Sequence, residues 1–166
     1  MTEPDALQQP EVSARQLTRQ QIREVCDKFV DVQTRLDKAT EDVRKEAQYK
    51  DKADFGTKVH KKLADGINAL GEPDYQAEVS TYKSLEAQKE RGNKPNHNPY
   101  GKLDTVRVDV LENRPEIKTV CVYDPKTGKS GLSLPRMMEL ATGVTTKYPG
   151  TRKIFVIEMR ESRSYR

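Results

Sequence analysis

The run Ile117-Lys-Thr-Val-Cys-Val-Tyr123, closed by Asp124-Pro-Lys-Thr-Gly128, constrains the fold of this chain more than any other segment. A nearly continuous series of β-favouring residues belongs to a central strand, covered on both faces. Pro125 has no N–H to give the ladder, so the regular strand stops about there and Thr127 to Gly131 form a turn. Residues i and i+2 of a strand share a face. Asp124 and Lys126 therefore project together from the strand end, a carboxylate beside an ammonium.

The surrounding pattern supplies the rest of a sheet. Val106, Val108 and Val110 alternate with Arg107 and Asp109, as in a half-buried strand, and Arg114-Pro115 marks a turn. Beyond the central strand, Ser133 is placed to cap a helix that begins near Leu134-Pro135. Its apolar set is Met137, Met138, Leu140, Ala141 and Val144, and Tyr148-Pro149-Gly150 ends it. Ile154-Phe-Val-Ile157 reads as another strand, and the arginine-bearing tail after Met159 (Arg160, Arg163, Arg166) as frayed. Strand, strand, helix, strand predicts an α/β sandwich, α+β in composition, with a mixed central sheet flanked by helices.

The first half has a different character. Thr18 and Gln21 have capping-box spacing. Ile22, Val25, Phe29, Val32, Leu36, Ala39 and Val43 then recur in alternating steps of three and four, a sustained heptad seam. The spacing predicts one helix over 18–49. Its narrow stripe asks for one partner, a helix of the same chain in a hairpin or a delivery protein bound through the seam. A second helix is expected over 53–70, with Phe55, Val59, Leu63 and Ile67 on one side and His60 beside them. Residues 72–91 fit a short strand or a further helix. Gly92 to Gly101 read as a loop carrying Lys94 and His97. The organisation expected is a flexible tail over 1–17, the heptad helix over 18–50 and a main domain over 51–166.

Composition narrows the chemistry. Hydrophobic and charged residues each make up 34% of the 166 residues, and the net charge of +4 permits contact with a polyanion without demanding it. Cys26 and Cys121 have no metal-ligand spacing, so buried free thiols are expected. No apolar run approaches a membrane span, and the N-terminus lacks the basic start and apolar stretch of a signal peptide. Gly128-Lys-Ser130 suggests a phosphate loop, but that motif needs a glycine where Tyr123 stands. Carboxylates and a lysine at one sheet end suit another chemistry: hard cations such as Mg²⁺ take oxygen ligands plus substrate phosphate. A fixed ammonium nearby stabilises the charge of phosphoryl attack. Asp109, on the preceding strand, is the second acid, with Asp104 as a weaker competitor.

The pairing of Val108-Asp109-Val110 with Val122-Tyr-Asp124-Pro-Lys126-Thr-Gly128 resembles the motif strands of the PD-(D/E)XK, or restriction-endonuclease-like, nucleases. More closely, it is similar to the nuclease domains of bacterial polymorphic toxins. Phe55-Gly-Thr-Lys-Val-His60, Ala77-Glu78-Val-Ser80 and Tyr100-Gly101 extend the resemblance over about residues 55–160. Val108 stands where the superfamily is named for proline. The resemblance implies a restriction-endonuclease-like core that cuts DNA, with RNA as a further substrate class, using Mg²⁺ or Mn²⁺. It implies that Asp109, Asp124, Glu78 and the Pro125 carbonyl ligate the metal. Lys126 would act on the water or transition state, and His60 and Arg107 would support the site. It also implies an antibacterial effector made in a bacterial cytoplasm, delivered into target cells and neutralised by a cognate immunity protein. The alternative function is a non-enzymatic helical interaction or nucleic-acid-binding module.

Overall fold

A computed structural model describes residues 11–13, 18–84 and 105–165. The 92–101 loop, Asp104, Arg166 and the remainder of the 1–17 tail lie outside the described residues. Strands β1 (Glu11–Ser13), β2 (Tyr75–Tyr82), β3 (Thr105–Arg114), β4 (Thr119–Pro125) and β5 (Lys153–Met159) form one sheet in the order β1-β5-β4-β3-β2. β2–β3 and β3–β4 pair antiparallel, whereas β4–β5 and β1–β5 pair parallel. The protein is thus α+β with a mixed sheet. All seven residues of β4 are buried, as its sequence requires of a central strand. Residues 72–91, open between strand and helix in the sequence, resolve at 75–82 as edge strand β2.

Helices α1 (Arg19–Val25), α2 (Phe29–Glu46) and α3 (Lys52–Asn68) cover one face. Their apolar stripes share a core with Tyr75, Ala77, Val110, Cys121, Tyr123 and Ile157. Helix α4 (Leu134–Lys147), capped by the Ser133 side chain, packs Leu140, Ala141 and Val144 against Val106, Val108, Val122 and Val156 on the other face. Met137 is partly buried there, but Met138 is exposed and does not join the core as expected.

Two further expectations need correction. The helix anticipated over 18–49 is broken at Cys26, whose backbone is extended, and α2 restarts at Phe29. The cause lies far away in sequence: the buried carboxylate of Glu112 on β3 accepts from the N–H groups of Asp27 and Lys28, each at 3.1 Å. A carboxylate at the start of α2 also suits the positive end of that helix. Nor are the two cysteines free thiols. Cys26 and Cys121 form a disulfide, their Cα atoms 6.0 Å apart, which ties the helix break to β4. The seam keeps its register on both sides of the break, with Ile22, Phe29, Val32, Leu36, Ala39 and Val43 all buried. α2 packs on α3 as in the hairpin alternative, and its seam shares one core with the sheet.

The chain ends are more ordered than their composition suggests. Residues 11–13 of the expected loose tail pair with Lys153, Ile154 and Phe155. Past β5, Ser162 to Tyr165 form a 3₁₀ turn, and Ser162 N–H donates to Asp37 at 2.8 Å. Arg44 pairs with Glu161, so this segment is not frayed.

Candidate functional site

At one end of the sheet, register brings acids from successive strands into a row. β3 pairs with β4 through Val110 opposite Tyr123, so one step further Asp109 faces Asp124. Ala77 opposite Val110 and Val79 opposite Val108 bracket Glu78 across from Asp109. On the far side, Asp124 is partnered by Glu158 of β5.

The row sits where two strands change face. Ala77 and Val110 belong to the core under α1–α3, whereas Val79 and Val108 pack in the core under α4. Simple alternation would keep 77 with 79 and 108 with 110. Glu78 takes up the change with φ at 53°, the left-handed region that a branched or bulky side chain avoids. Just before it, the Asn68 side chain pins β2 by accepting from Ala77 N–H at 2.8 Å and donating to its carbonyl at 3.1 Å. A strained residue held in place by its surroundings is a recognised mark of functional sites.

Asp124 is only 2% exposed. Its Oδ2 lies 3.1 Å from Lys126 Nζ, an ion-pair contact, yet makes no hydrogen bond. Asp109 is pushed up to about 6, first by burial, then by a hydrogen bond and like charge from Asp124. His60 and Arg136 pull the other way. His60, on α3, stands 3.9 Å from Asp109 Oδ2. Its Nε2 reaches the Pro125 carbonyl at 3.0 Å and its Nδ1 the Gly56 carbonyl at 2.8 Å.

In front of this pair opens a cleft of about 520 Å³, lined by Lys52, Gly56, Thr57 and His60 of α3, Glu78, Arg107 and Asp109 of the sheet, and Thr127 and Gly128 of the following turn. Gly56 is required for the α3 wall: a Cβ there would lie 2.7 Å from Thr127 Oγ1. Most cations on the helices are paired with acids, but Lys52 and Arg107 have no acidic partner among the described residues.

Sequence reasoning named most of these groups. Glu78, Asp109, His60 and Arg107 meet at the cleft. Asp124 and Lys126 form their pair one step behind it, where Asp124 touches Asp109. Glu78 remains exposed at the mouth, and the Pro125 carbonyl proposed as a ligand is engaged by His60. Arg136 was not anticipated. It sits in the first turn of α4, donates to the Arg107 carbonyl at 2.9 Å and places a positive charge near Asp109. Nothing in its spacing could have linked it to β3. Two carboxyls in contact, one with a buried oxygen that makes no hydrogen bond, suit a hard cation. A second cluster, Cys26, Glu112 and Cys121, is compact enough to hold an ion, but its sulfurs are bonded to each other and Glu112 is already hydrogen-bonded.

Comparisons with protein-family models, with curated proteins and with solved structures return no match to this chain. Among the described residues, no helix is long and apolar enough to cross a membrane.

Proposed function

We propose that the protein is a metal-dependent endonuclease that hydrolyses phosphodiester bonds of DNA through a restriction-endonuclease-like core. The observation that carries this reading is the contact of Asp109 with the buried Asp124, whose Oδ2 lies 3.1 Å from Lys126 Nζ without a hydrogen bond, at the back of a cleft. Asp109 and Asp124 are the groups that would hold Mg²⁺ or Mn²⁺, with Glu78 contributing from the mouth. Bound there, the cation would supply a water of lowered pKa and charge neutralisation at the phosphate. Lys126 orients the attacking water and stabilises the charge that builds on the phosphoryl oxygens. Lys52 and Arg107, both lining the cleft, offer two cations to the phosphates on either side of the cut. Backbone contacts of that kind fix position without reading sequence, and they weaken as salt rises.

The rival reading, a helical interaction module, needs a free apolar seam. Val32, Leu36 and Val43 are each at most 1% exposed, so this seam is already occupied. On the sequence resemblance alone rests the extension to an antibacterial toxin with a cognate immunity protein.

The test is plasmid cleavage with Mg²⁺ or Mn²⁺, with EDTA, and with Asp124→Ala and Lys126→Ala. Metal-dependent cutting lost in both variants is expected. Cutting that persists in either would remove the assigned site, and no cutting by the native protein with any divalent ion would remove the reading.

A further inference from the structure

The turn that carries the lysine past the strand end is gripped from β5. Arg160 presents its guanidinium to this turn: Nη1 donates to the Gly128 carbonyl and Nη2 to the Ser130 carbonyl, at 2.5 and 3.1 Å. Its Nε donates to Glu158 Oε2 at 3.0 Å, and Glu158 Oε1 accepts the N–H of Leu132 at 2.7 Å. One further bond joins the backbones, from Lys126 N–H to the Met159 carbonyl at 2.8 Å. The 126–132 turn is therefore held at its start, its middle and its end by three consecutive residues of the C-terminal strand and its exit. Gly131 presses directly against this bracket, since a Cβ there would come within 3.0 Å of Glu158 Oε1.

The bracket has an anchor of its own. The Arg160 carbonyl accepts from Gln33 Nε2 of α2 at 2.7 Å, and Asp37 of the same helix accepts from Ser162 N–H. Thr127 and Gly128, inside the gripped turn, form one wall of the cleft, and Lys126 precedes them immediately. A five-residue stretch with two glycines and no apolar anchor has no local reason to keep one shape.

We propose that Arg160 is a positioning residue of the nuclease site, which fixes Lys126 and the Thr127–Gly128 wall by forking across two carbonyls of the turn. This inference rests on the nuclease reading of the same cleft. Glu158, opposite Asp124 in the sheet, is on this view spent on the bracket and is not a further ligand. A planar guanidinium can reach two carbonyls and a carboxylate at once, which the point charge of a lysine cannot.

The experiment compares native protein, Arg160→Lys and Arg160→Ala in Mg²⁺-dependent plasmid cleavage, with thermal melting and amide hydrogen exchange of residues 126–132 measured alongside. Misplaced catalytic groups at this scale cost about 10- to 100-fold in rate. Arg160→Ala is expected to lose that much kcat with KM for DNA changed by less than about twofold. Exchange at Leu132 should quicken while the helices keep their protection. Arg160→Lys, which retains charge and fold, should fall in between, and added guanidinium ion at millimolar, non-denaturing concentration should restore part of the Arg160→Ala rate. A native rate in both variants, or a loss confined to KM, would overturn the inference while leaving the nuclease reading intact. An absence of cleavage by the native protein would instead remove the reading and the positioning role together.

Discussion

Two acids on β3, three residues apart, are treated in opposite ways. Glu112 is 3% exposed and fully used: Tyr123 Oη donates to it at 2.6 Å, and the N–H groups of Asp27 and Lys28 complete its shell. Burial raises its pKa, but these bonds to its charged form oppose the rise. Asp109 has no such shell, and the carboxyl it touches, Asp124, keeps an oxygen without a hydrogen bond. Burial alone thus says little about function. A buried acid that is satisfied holds structure together, as Glu112 does where α1 breaks into α2. One left short of partners beside a cleft is stored free energy, available to a ligand that brings positive charge.

Substitutions can test this contrast directly. The largest difference is expected in cleavage. Asp109→Ala and Asp124→Ala should lower plasmid cutting by at least about 100-fold, whereas Glu112→Gln, which keeps an acceptor for Tyr123, should cut at close to the native rate. Equal losses at both ends of β3 would erase the distinction.

Next in size is the cross-link beside Glu112. The disulfide closes a loop of sequence separation 95, worth about 5 kcal/mol on chain-entropy grounds. Reduction should therefore move the urea midpoint down sharply, while the rate per folded molecule in native buffer stays nearly constant. A rate that collapses before the fold does would show that the two ends of the sheet are not independent.

Glu112→Ala should destabilise by about 2–4 kcal/mol in urea titration, because it orphans the Tyr123 hydroxyl and two backbone amides. A loss below the range of an ordinary surface substitution would mean that the shell is ornamental. The smallest effect concerns Asp109, and it has the opposite sign. Its folded pKa of about 6 lies above the ordinary 3.8, so the folded protein binds the proton more tightly. That contribution is complete below the ordinary value and is lost as pH rises through about 6. In EDTA near neutral pH, Asp109→Asn should then be more stable than the native protein by about 1–3 kcal/mol, and the gap should close on acidification. A less stable variant at neutral pH would place Asp109 with Glu112 as a structural acid.

Much of this was legible in the chain. The heptad seam from Ile22 to Val43, the Ser133 cap and the end of β4 at Pro125 all follow from spacings of a few residues, and each is where local physics puts it. Asp124 and Lys126 were readable for the same reason, as neighbours on one strand face. Asp109 opposite Asp124 needed only the assumption that consecutive strands pair. The break at Cys26 was not readable, because the group that competes for those amides lies 85 residues further on in β3. The grip of Arg160 on Gly128 spans 32 residues. His60 on the Pro125 carbonyl spans 65. Composition even pointed the wrong way for Arg160, which looks solvated until a turn arrives to be held.

The sequence by itself determined most of the helices and the central strands, which faces are apolar, and that an acid and a lysine share the end of a central strand. These properties have short periods, and a few bonds of backbone geometry enforce them. Tertiary structure alone decided which of the acids are satisfied. It closed the shell around Glu112, turned two strands over at Glu78 and Asp109, and left Asp124 Oδ2 beside Lys126 without a hydrogen bond at the back of the cleft. Hydrogen-bond satisfaction depends on groups brought together from distant parts of the chain, and no local spacing encodes it.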